Sequence, residues 1–102
     1  MNHPESEKEY NELKDTKSLV VVKFSAVWCG PCKAIAPQID ALAEKHNDVV
    51  FIHVDVDKLD ELKDGSDVRG VPTFKFFKDG ELLKAFAGAS VEKVKDSIKQ
   101  YE

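Results

Sequence analysis

The sequence predicts a single α/β domain in which helices cover both faces of a mixed central sheet. Strand and helix patterns alternate along the chain in the order α-β-α-β-α-β-β-α. The first two strand segments are nearly continuous in apolar residues, which is typical of strands buried on both faces. An Asp-Gly pair between the last two strands indicates a tight antiparallel hairpin. A length of 102 residues fits one domain of this kind.

The beginning of the chain predicts one short helix and one buried strand. Ser6 and Glu9 have the spacing of a capping box, so we expect a helix from about Glu7 to Asp15. The segment Leu19–Ser25 is rich in valine and predicts the first strand, in which Lys23 is the one anomaly.

The middle of the chain predicts two further helices around a second strand. Apolar residues at helical spacing indicate a helix over about Cys32–His46, with Pro37 inside it as a kink. The apolar segment Val50–Val56 predicts the second strand. An acidic stretch follows, for which we expect a short solvated helix near Lys58–Lys63.

The end of the chain predicts a hairpin and a terminal helix. Strands are expected over Thr73–Phe77 and Leu82–Ala87, joined by the turn at Asp79-Gly80. Apolar residues then recur at helical spacing through Val91–Tyr101, which indicates an amphipathic helix packed on the sheet.

Composition and charge exclude several classes of function. Hydrophobic residues make up 42% of the chain and charged residues 33%, a balance that fits a buried core under a solvated surface. A net charge of −4 argues against nucleic acid as a partner. The longest uncharged apolar run, Leu19–Val22, is far shorter than the roughly 20 residues of a membrane span. The first residues are polar and acidic, unlike a signal peptide, so we expect a cytoplasmic protein without a membrane partner.

The two cysteines carry the chemical argument. Cys29 and Cys32 are separated only by Gly30 and Pro31, and a bridge over so short a loop stabilises a fold little. A structural zinc site needs four ligands, and the three histidines lie on different elements. Covalent haem attachment needs a histidine after the second cysteine, where Lys33 stands. The spacing therefore favours a redox pair, with no metal and no cofactor; two inert buried cysteines are the alternative.

The predicted position of the pair assigns a role to each thiol. The free N–H groups and the positive end of a helix N-terminus lower the pKa of a nearby cysteine, to roughly 3.5–7.5 in known cases. We therefore expect Cys29 to be the nucleophile. Cys32, inside the first helical turn, should be more buried and act as the resolving thiol.

Several longer motifs give the chain a resemblance to the thioredoxin family from about Glu9 to the C-terminus. They are Phe24-Ser25-Ala26-Val27-Trp28-Cys29-Gly30-Pro31-Cys32-Lys33, Pro37, Val54-Asp55-Val56-Asp57, Gly70-Val71-Pro72-Thr73-Phe74, Phe77-Lys78-Asp79-Gly80 and Gly88. The resemblance implies a thioredoxin fold, with four or five strands flanked by four α-helices. It also implies a general protein disulfide reductase, regenerated by thioredoxin reductase and active in electron transport and cell redox homeostasis.

The resemblance also implies a substrate-binding surface around the dithiol. Val71-Pro72 matches the family's cis-proline loop, which lies across from the cysteines; an ordinary trans proline is the alternative. We expect small and apolar residues to form a rim on which an extended substrate segment docks: Trp28, Gly30, Pro31, Val71, Pro72, Ala87, Gly88 and Ala89. For Trp28, plain core packing is the alternative.

Two departures from the family pattern are important. Pro4 lies where the first edge strand is expected, so that strand is short or missing. Lys23 stands where the family has a buried aspartate that takes the proton of the resolving cysteine. His53 stands where family members often carry a polar partner of that aspartate. In one interpretation the Lys23 side chain reaches the surface or pairs with a nearby carboxylate. In a second, which we prefer, Lys23 stays protonated near Cys32 and its charge favours thiolates. In a third case neutral Lys23, or His53 as a proton relay, is the base.

Other functions remain to be weighed against a reductase of disulfide-containing proteins. An oxidase or isomerase is disfavoured because Pro31 stands where those relatives usually carry histidine. A binding module with little turnover is favoured only by the missing aspartate. Gly70 removes a cysteine through which animal relatives form covalent dimers, and we expect a monomer.

Overall fold

The computed structural model describes residues 1–102 and contains four strands and three α-helices. The strands are β1 (Val20–Ser25), β2 (Val50–Asp55), β3 (Thr73–Lys78) and β4 (Glu81–Ala87). The helices are α1 (Glu7–Lys14), α2 (Gly30–Lys45) and α3 (Val91–Tyr101), and one 3-10 turn spans Lys63–Gly65. None of the helices has the length and apolar character needed to cross a lipid bilayer.

The sheet is mixed, as the sequence predicts, with the strand order β2-β1-β3-β4. The central strand β1 pairs in parallel with β2 and antiparallel with β3, and β3 and β4 form the hairpin. In the parallel register Lys23 lies beside His53. Side chains alternate along a strand, so Lys23, Ser25 and His53 share one face of the sheet.

Both faces of the sheet are covered by apolar side chains. On the face that carries Lys23, helices α2 and α3 bury a cluster of eleven residues, among them Val21, Ile39, Phe74 and Ile98. On the opposite face, α1 and the loop after β2 bury a cluster of eight residues, among them Tyr10 and Phe24. Helix α2 is therefore held against the sheet along its length.

The beginnings of helices α1 and α2 are fixed by side-chain caps. The Oγ atom of Ser6 accepts a hydrogen bond from the Glu9 N–H at 3.1 Å, as the capping-box spacing predicts. Helix α2 begins two residues earlier than predicted because Cys29 itself is its N-cap and Pro31 lies in the first turn, where no N–H is needed. The helix continues through Pro37.

The predicted helix near Lys58–Lys63 is wrong, which reduces the four expected α-helices to three. A turn around Asp55 takes its place: the Asp57 N–H donates to Asp55 Oδ1 at 2.9 Å, and the Asp55 carbonyl accepts from Leu59 at 2.9 Å. An aspartate that bonds its own backbone neighbours competes with helix formation. Buried Leu62 then adopts an extended conformation, and only the 3-10 turn follows.

The fifth, outermost strand is reduced to one bridge. The Asn2 N–H donates to the Phe51 carbonyl at 2.9 Å, and the Asn2 carbonyl accepts from His53 at 2.7 Å. Pro4, two residues further on, has no N–H with which to extend the pairing. Four strands is therefore the correct number.

The loop between β2 and β3 is anchored to the rest of the fold by buried polar contacts. Lys75, 5% exposed, donates to the Asp64 carbonyl at 2.7 Å and to the Asp67 carboxylate at 2.5 Å. The Asp64 carboxylate accepts from Tyr10 at 2.7 Å and from Lys14 at 2.6 Å, and these bonds hold its pKa below the usual range although burial opposes them. Helix α1, strand β3 and this loop are thus joined through one aspartate.

Candidate active site

The two cysteines lie at the N-terminus of α2, where strand β1 ends and the chain turns into the helix. They form a disulfide whose Cα atoms are 5.3 Å apart. Ala26 packs against both, and Val71 approaches them from the loop before β3. The structure therefore brings the cysteine pair and the proline loop together.

Hydrogen bonding distinguishes the two sulfur atoms more clearly than burial does. The Sγ atom of Cys29 accepts the Cys32 backbone N–H at 3.1 Å, as the N-cap of the helix. Cys29 is 4% exposed and Cys32 is 2% exposed. Because an amide N–H and the helix dipole both stabilise negative charge at the capping position, a thiolate is favoured on Cys29.

The loop opposite the disulfide presents its backbone to the cysteines. The Val71-Pro72 peptide bond is cis, which confirms the sequence prediction. The Val71 carbonyl oxygen lies 3.6 Å from Cys29 Sγ, and the Pro72 carbonyl accepts from the Gly88 N–H at 2.9 Å. Gly88 has φ of +111°, a conformation that few residues other than glycine adopt. The rim residues after β4 are thus tied to the proline loop.

The surface beside the disulfide is apolar and exposed. Trp28 is 67% exposed, which excludes core packing for this side chain, and its indole N–H donates to the Asp57 carboxylate at 2.9 Å. Val27, 68% exposed, is a further apolar residue that the sequence reasoning did not select. Asp57 was also missed as a contact of Trp28, although it belongs to a recognised motif. Only the fold shows that the two meet.

A pocket of about 240 Å³ opens next to Trp28. Its lining includes Val56, Val68 and Val71, and Asp60 and Arg69 place one charge of each sign beside this largely apolar space. The sequence reasoning placed only Trp28 and Val71 at this surface. Apart from Phe24 of β1, the other lining residues come from the loop after β2, whose path the wrongly predicted helix obscured.

Comparison with known proteins agrees with this geometry. The thioredoxin family model matches residues 2–100. The thioredoxin of Ophiophagus hannah is 48% identical over 91 residues, which are 88% of this chain and 87% of the relative. The thioredoxin of Oryctolagus cuniculus is 47% identical over 98 residues, 94% of this chain and 93% of the relative. The chain belongs to the thioredoxin family.

The fold agrees over the whole length as well. The solved structure of Plasmodium falciparum thioredoxin superimposes with a TM-score of 0.92 at 34% identity and covers 100% of both chains. Thioredoxins are thiol-disulfide oxidoreductases, and this chain carries the redox-active pair as Cys29 and Cys32. Its activity is dithiol-disulfide exchange that reduces protein disulfides.

This thioredoxin has a cleft behind Cys32 that contains Lys23, which departs from the family pattern, and His53 beside it. The cleft has a volume of about 290 Å³, and Lys23, Ser25, Cys32 and His53 are among its lining residues. Lys23 is 3% exposed and forms no ion pair or side-chain hydrogen bond. The side chain is therefore largely buried, opens only into the cleft, and contacts no carboxylate.

Burial affects the titration of both basic groups in this cleft. Desolvation lowers the pKa of Lys23, and the negative charge of Asp40 partly opposes that shift. Desolvation, the Lys23 charge and the nearby His3 together lower the pKa of His53 to about 4. The His53 ring is therefore neutral at neutral pH, and it packs against His3 with the ring centres 4.8 Å apart.

Proposed function

We propose that this thioredoxin reduces its protein substrates through attack by Cys29. The Cys29 thiolate forms a mixed disulfide with one substrate sulfur, and the other substrate sulfur leaves and takes up a proton. Cys32 then loses its proton and attacks Cys29 Sγ, so the substrate departs as a dithiol and the Cys29–Cys32 disulfide remains. Two electrons pass from the protein to the substrate.

The hydrogen bond from the Cys32 N–H to Cys29 Sγ is the observation that carries this assignment. It stabilises the Cys29 thiolate before attack and keeps the two sulfur atoms adjacent for the resolving step. Gly30 and Pro31 form the first helical residues between them and keep this spacing short.

We assign substrate docking to the rim around the disulfide. Trp28 supplies exposed apolar area, and the cis-proline loop presents the backbone of Val71, on which an extended segment can pair as an added strand. Ala87, Gly88 and Ala89 are exposed and small, so a substrate backbone can approach closely there. Pro72 is buried and fixes the loop from beneath.

For the two basic residues behind Cys32 we propose different roles. Protonated Lys23 acts as a modulator whose field favours thiolates in the reduced form. His53 is proposed as a proton relay because its neutral ring lines the same cleft as Cys32; with a pKa of about 4 the ring would pass the proton on to solvent and not retain it. Neither residue is placed to contact the substrate.

The proposed cellular setting is that of a cytoplasmic monomer. Thioredoxin reductase would return the disulfide to the dithiol, and the protein would take part in electron transport and cell redox homeostasis. An assay of insulin reduction with thioredoxin reductase and NADPH tests this setting, and gel filtration tests the monomer. Turnover with a chemical dithiol but none with the reductase would overturn the choice of electron donor.

Trapping of substrates tests the assignment of the two thiols. A Cys32→Ser variant should accumulate mixed disulfides with substrate proteins because the resolving step is lost. The matched variant Cys29→Ser should trap none. Equal trapping by the two variants would reverse the roles of nucleophile and resolving thiol.

A further inference from the structure

The cleft behind Cys32 is lined by polar side-chain groups that have no hydrogen-bond partner within the protein. Lys23 Nζ and Ser25 Oγ line it, and both residues are 3% exposed. Neither atom has a protein hydrogen-bond partner, whereas Lys75, the other buried lysine, has two. The His53 ring, on the same face of the sheet, lines the same cleft and is also without a hydrogen bond.

These groups must find their partners in the cleft itself. Every fully buried side-chain nitrogen or oxygen atom in the structure has a hydrogen-bond partner. The ammonium of Lys23 and the hydroxyl of Ser25 are therefore reached by solvent or a solute through the cleft. A buried ammonium without a counter-charge is costly, so an anionic occupant is stabilised there.

The ionisable side chains that line the cleft wall, apart from Cys32, are all basic. Lys23 and Lys33 line it together with His53, and no aspartate or glutamate does. Asp40 is near enough to raise the pKa of Lys23 but too far for an ion pair. The net charge of the whole chain is −4, so this basic cleft is opposite in sign to the molecule as a whole.

We propose that the cleft behind Cys32 is a binding site for a small inorganic anion, held by the Lys23 ammonium and the Ser25 hydroxyl. The volume of about 290 Å³ exceeds the roughly 30 Å³ share of one water molecule, so a chloride or phosphate ion fits with part of its hydration shell. His53 adds a ring N–H as a third donor. In the oxidised form Cys32 is part of the disulfide and carries no negative charge that would repel the anion. The anion therefore binds to the oxidised form.

An NMR titration of the oxidised full chain tests the site. Sodium chloride and, separately, sodium phosphate are added while the backbone amides of Ser25, Cys32 and His53 are followed. In the wild type these signals should shift to saturation. The Lys23→Met variant keeps the side-chain length without the charge, and it should bind at least about tenfold more weakly, the factor expected for one charge-assisted hydrogen bond.

Lys99→Met is the matched control, because it removes one exposed lysine of α3 and so the same net charge. It should titrate like the wild type. Unchanged amide dispersion away from the cleft would show that each variant is folded. Shifts in the wild type that rise linearly without saturation would show a water-filled cleft only. Equal saturation in wild type and Lys23→Met would place the anion elsewhere, and either result overturns the proposal.

Discussion

Replacing Lys23 with methionine should make this thioredoxin a stronger reductant. The change removes one buried positive charge beside Cys32 and keeps a side chain of similar length. In a buffer without added chloride or phosphate, thiolates lose a favourable interaction, whereas the disulfide, which is neutral, does not. The reduced form is therefore destabilised relative to the oxidised form, and the reduction potential becomes more negative.

Coulomb's law gives the magnitude of this effect. Lys23 and Cys32 line the same cleft, so we take a separation of about 8 Å between the Lys23 charge and a thiolate. With an effective dielectric constant of about 20, the interaction is about 2 kcal/mol, or about 1.5 pKa units. For a two-electron couple this corresponds to a shift of about 40 mV.

The pH dependence provides a signature that a merely structural role would not produce. The shift should vanish below the thiol pKa, where the reduced form carries no thiolate. The shift should also decline at alkaline pH, once Lys23 loses its proton. This loss occurs at a lower pH than for an ordinary lysine because burial lowers the pKa of Lys23. Potentials from equilibration with glutathione, and thiol pKa values from the ultraviolet absorbance of the thiolate, measure both limits.

Lys23→Asp should move the potential further in the same direction, because it exchanges the positive charge for a negative one. Lys99→Met controls for net charge and should leave the potential unchanged. If the wild type, Lys23→Met and Lys23→Asp share one potential and one thiol pKa, the Lys23 charge does not act on the cysteines.

Three further predictions concern pH, docking and stability. The pKa of His53 is about 4 in the fold and about 6.5 in the unfolded chain, so the unfolded state binds the extra proton between these values. Wild type should lose up to about 3 kcal/mol as the pH falls through that window, and His53→Gln should lose less. Ala87→Glu should raise KM for protein substrates severalfold but not alter reduction by dithiothreitol. Tyr10→Phe should cost about 1–2 kcal/mol, because the Asp64 carboxylate keeps Lys14 as a partner.

Each of these predictions has its own control. Denaturation of His53→Gln at pH 8, above the window, separates a titration effect from general destabilisation. Glu81 is an exposed residue at the far end of β4, and Glu81→Ala should leave the kinetics unchanged. Unaltered KM in Ala87→Glu would move the docking surface away from β4. A cost near zero for Tyr10→Phe would mean that water replaces the hydroxyl.

Most of the fold could be predicted from the sequence because its signals are local. The Ser6 cap, the hairpin turn at Asp79 and the apolar strands each act within a few residues. The segment after β2 could not be predicted in this way. Its charged residues are compatible with a helix. The hydrogen bonds between Asp55 and the backbone N–H groups of Asp57 and Leu59, together with the burial of Leu62, stabilise turns instead.

In the active site, too, local features could be predicted from the sequence and tertiary contacts could not. The roles of Cys29 and Cys32 follow from a spacing of three residues and one helix start. The bond between Trp28 and Asp57 joins residues 29 positions apart, and the isolation of Lys23 depends on which carboxylates lie near it. Such contacts depend on the tertiary arrangement, so the sequence could indicate that Lys23 is unusual but not that it lacks a partner.

The anchoring of the loop by Lys75 and Asp64 has a consequence for the kinds of substrate that bind. This loop supplies one wall of the pocket beside Trp28, and Gly65 within it lies so close to Phe24 that an added Cβ atom would be 3.0 Å from the ring. A wall held in this way cannot adjust its shape to each new ligand. The conformational adjustment on binding must then come from the substrate. Disulfides in exposed, flexible segments should therefore be reduced faster than disulfides within rigid domains.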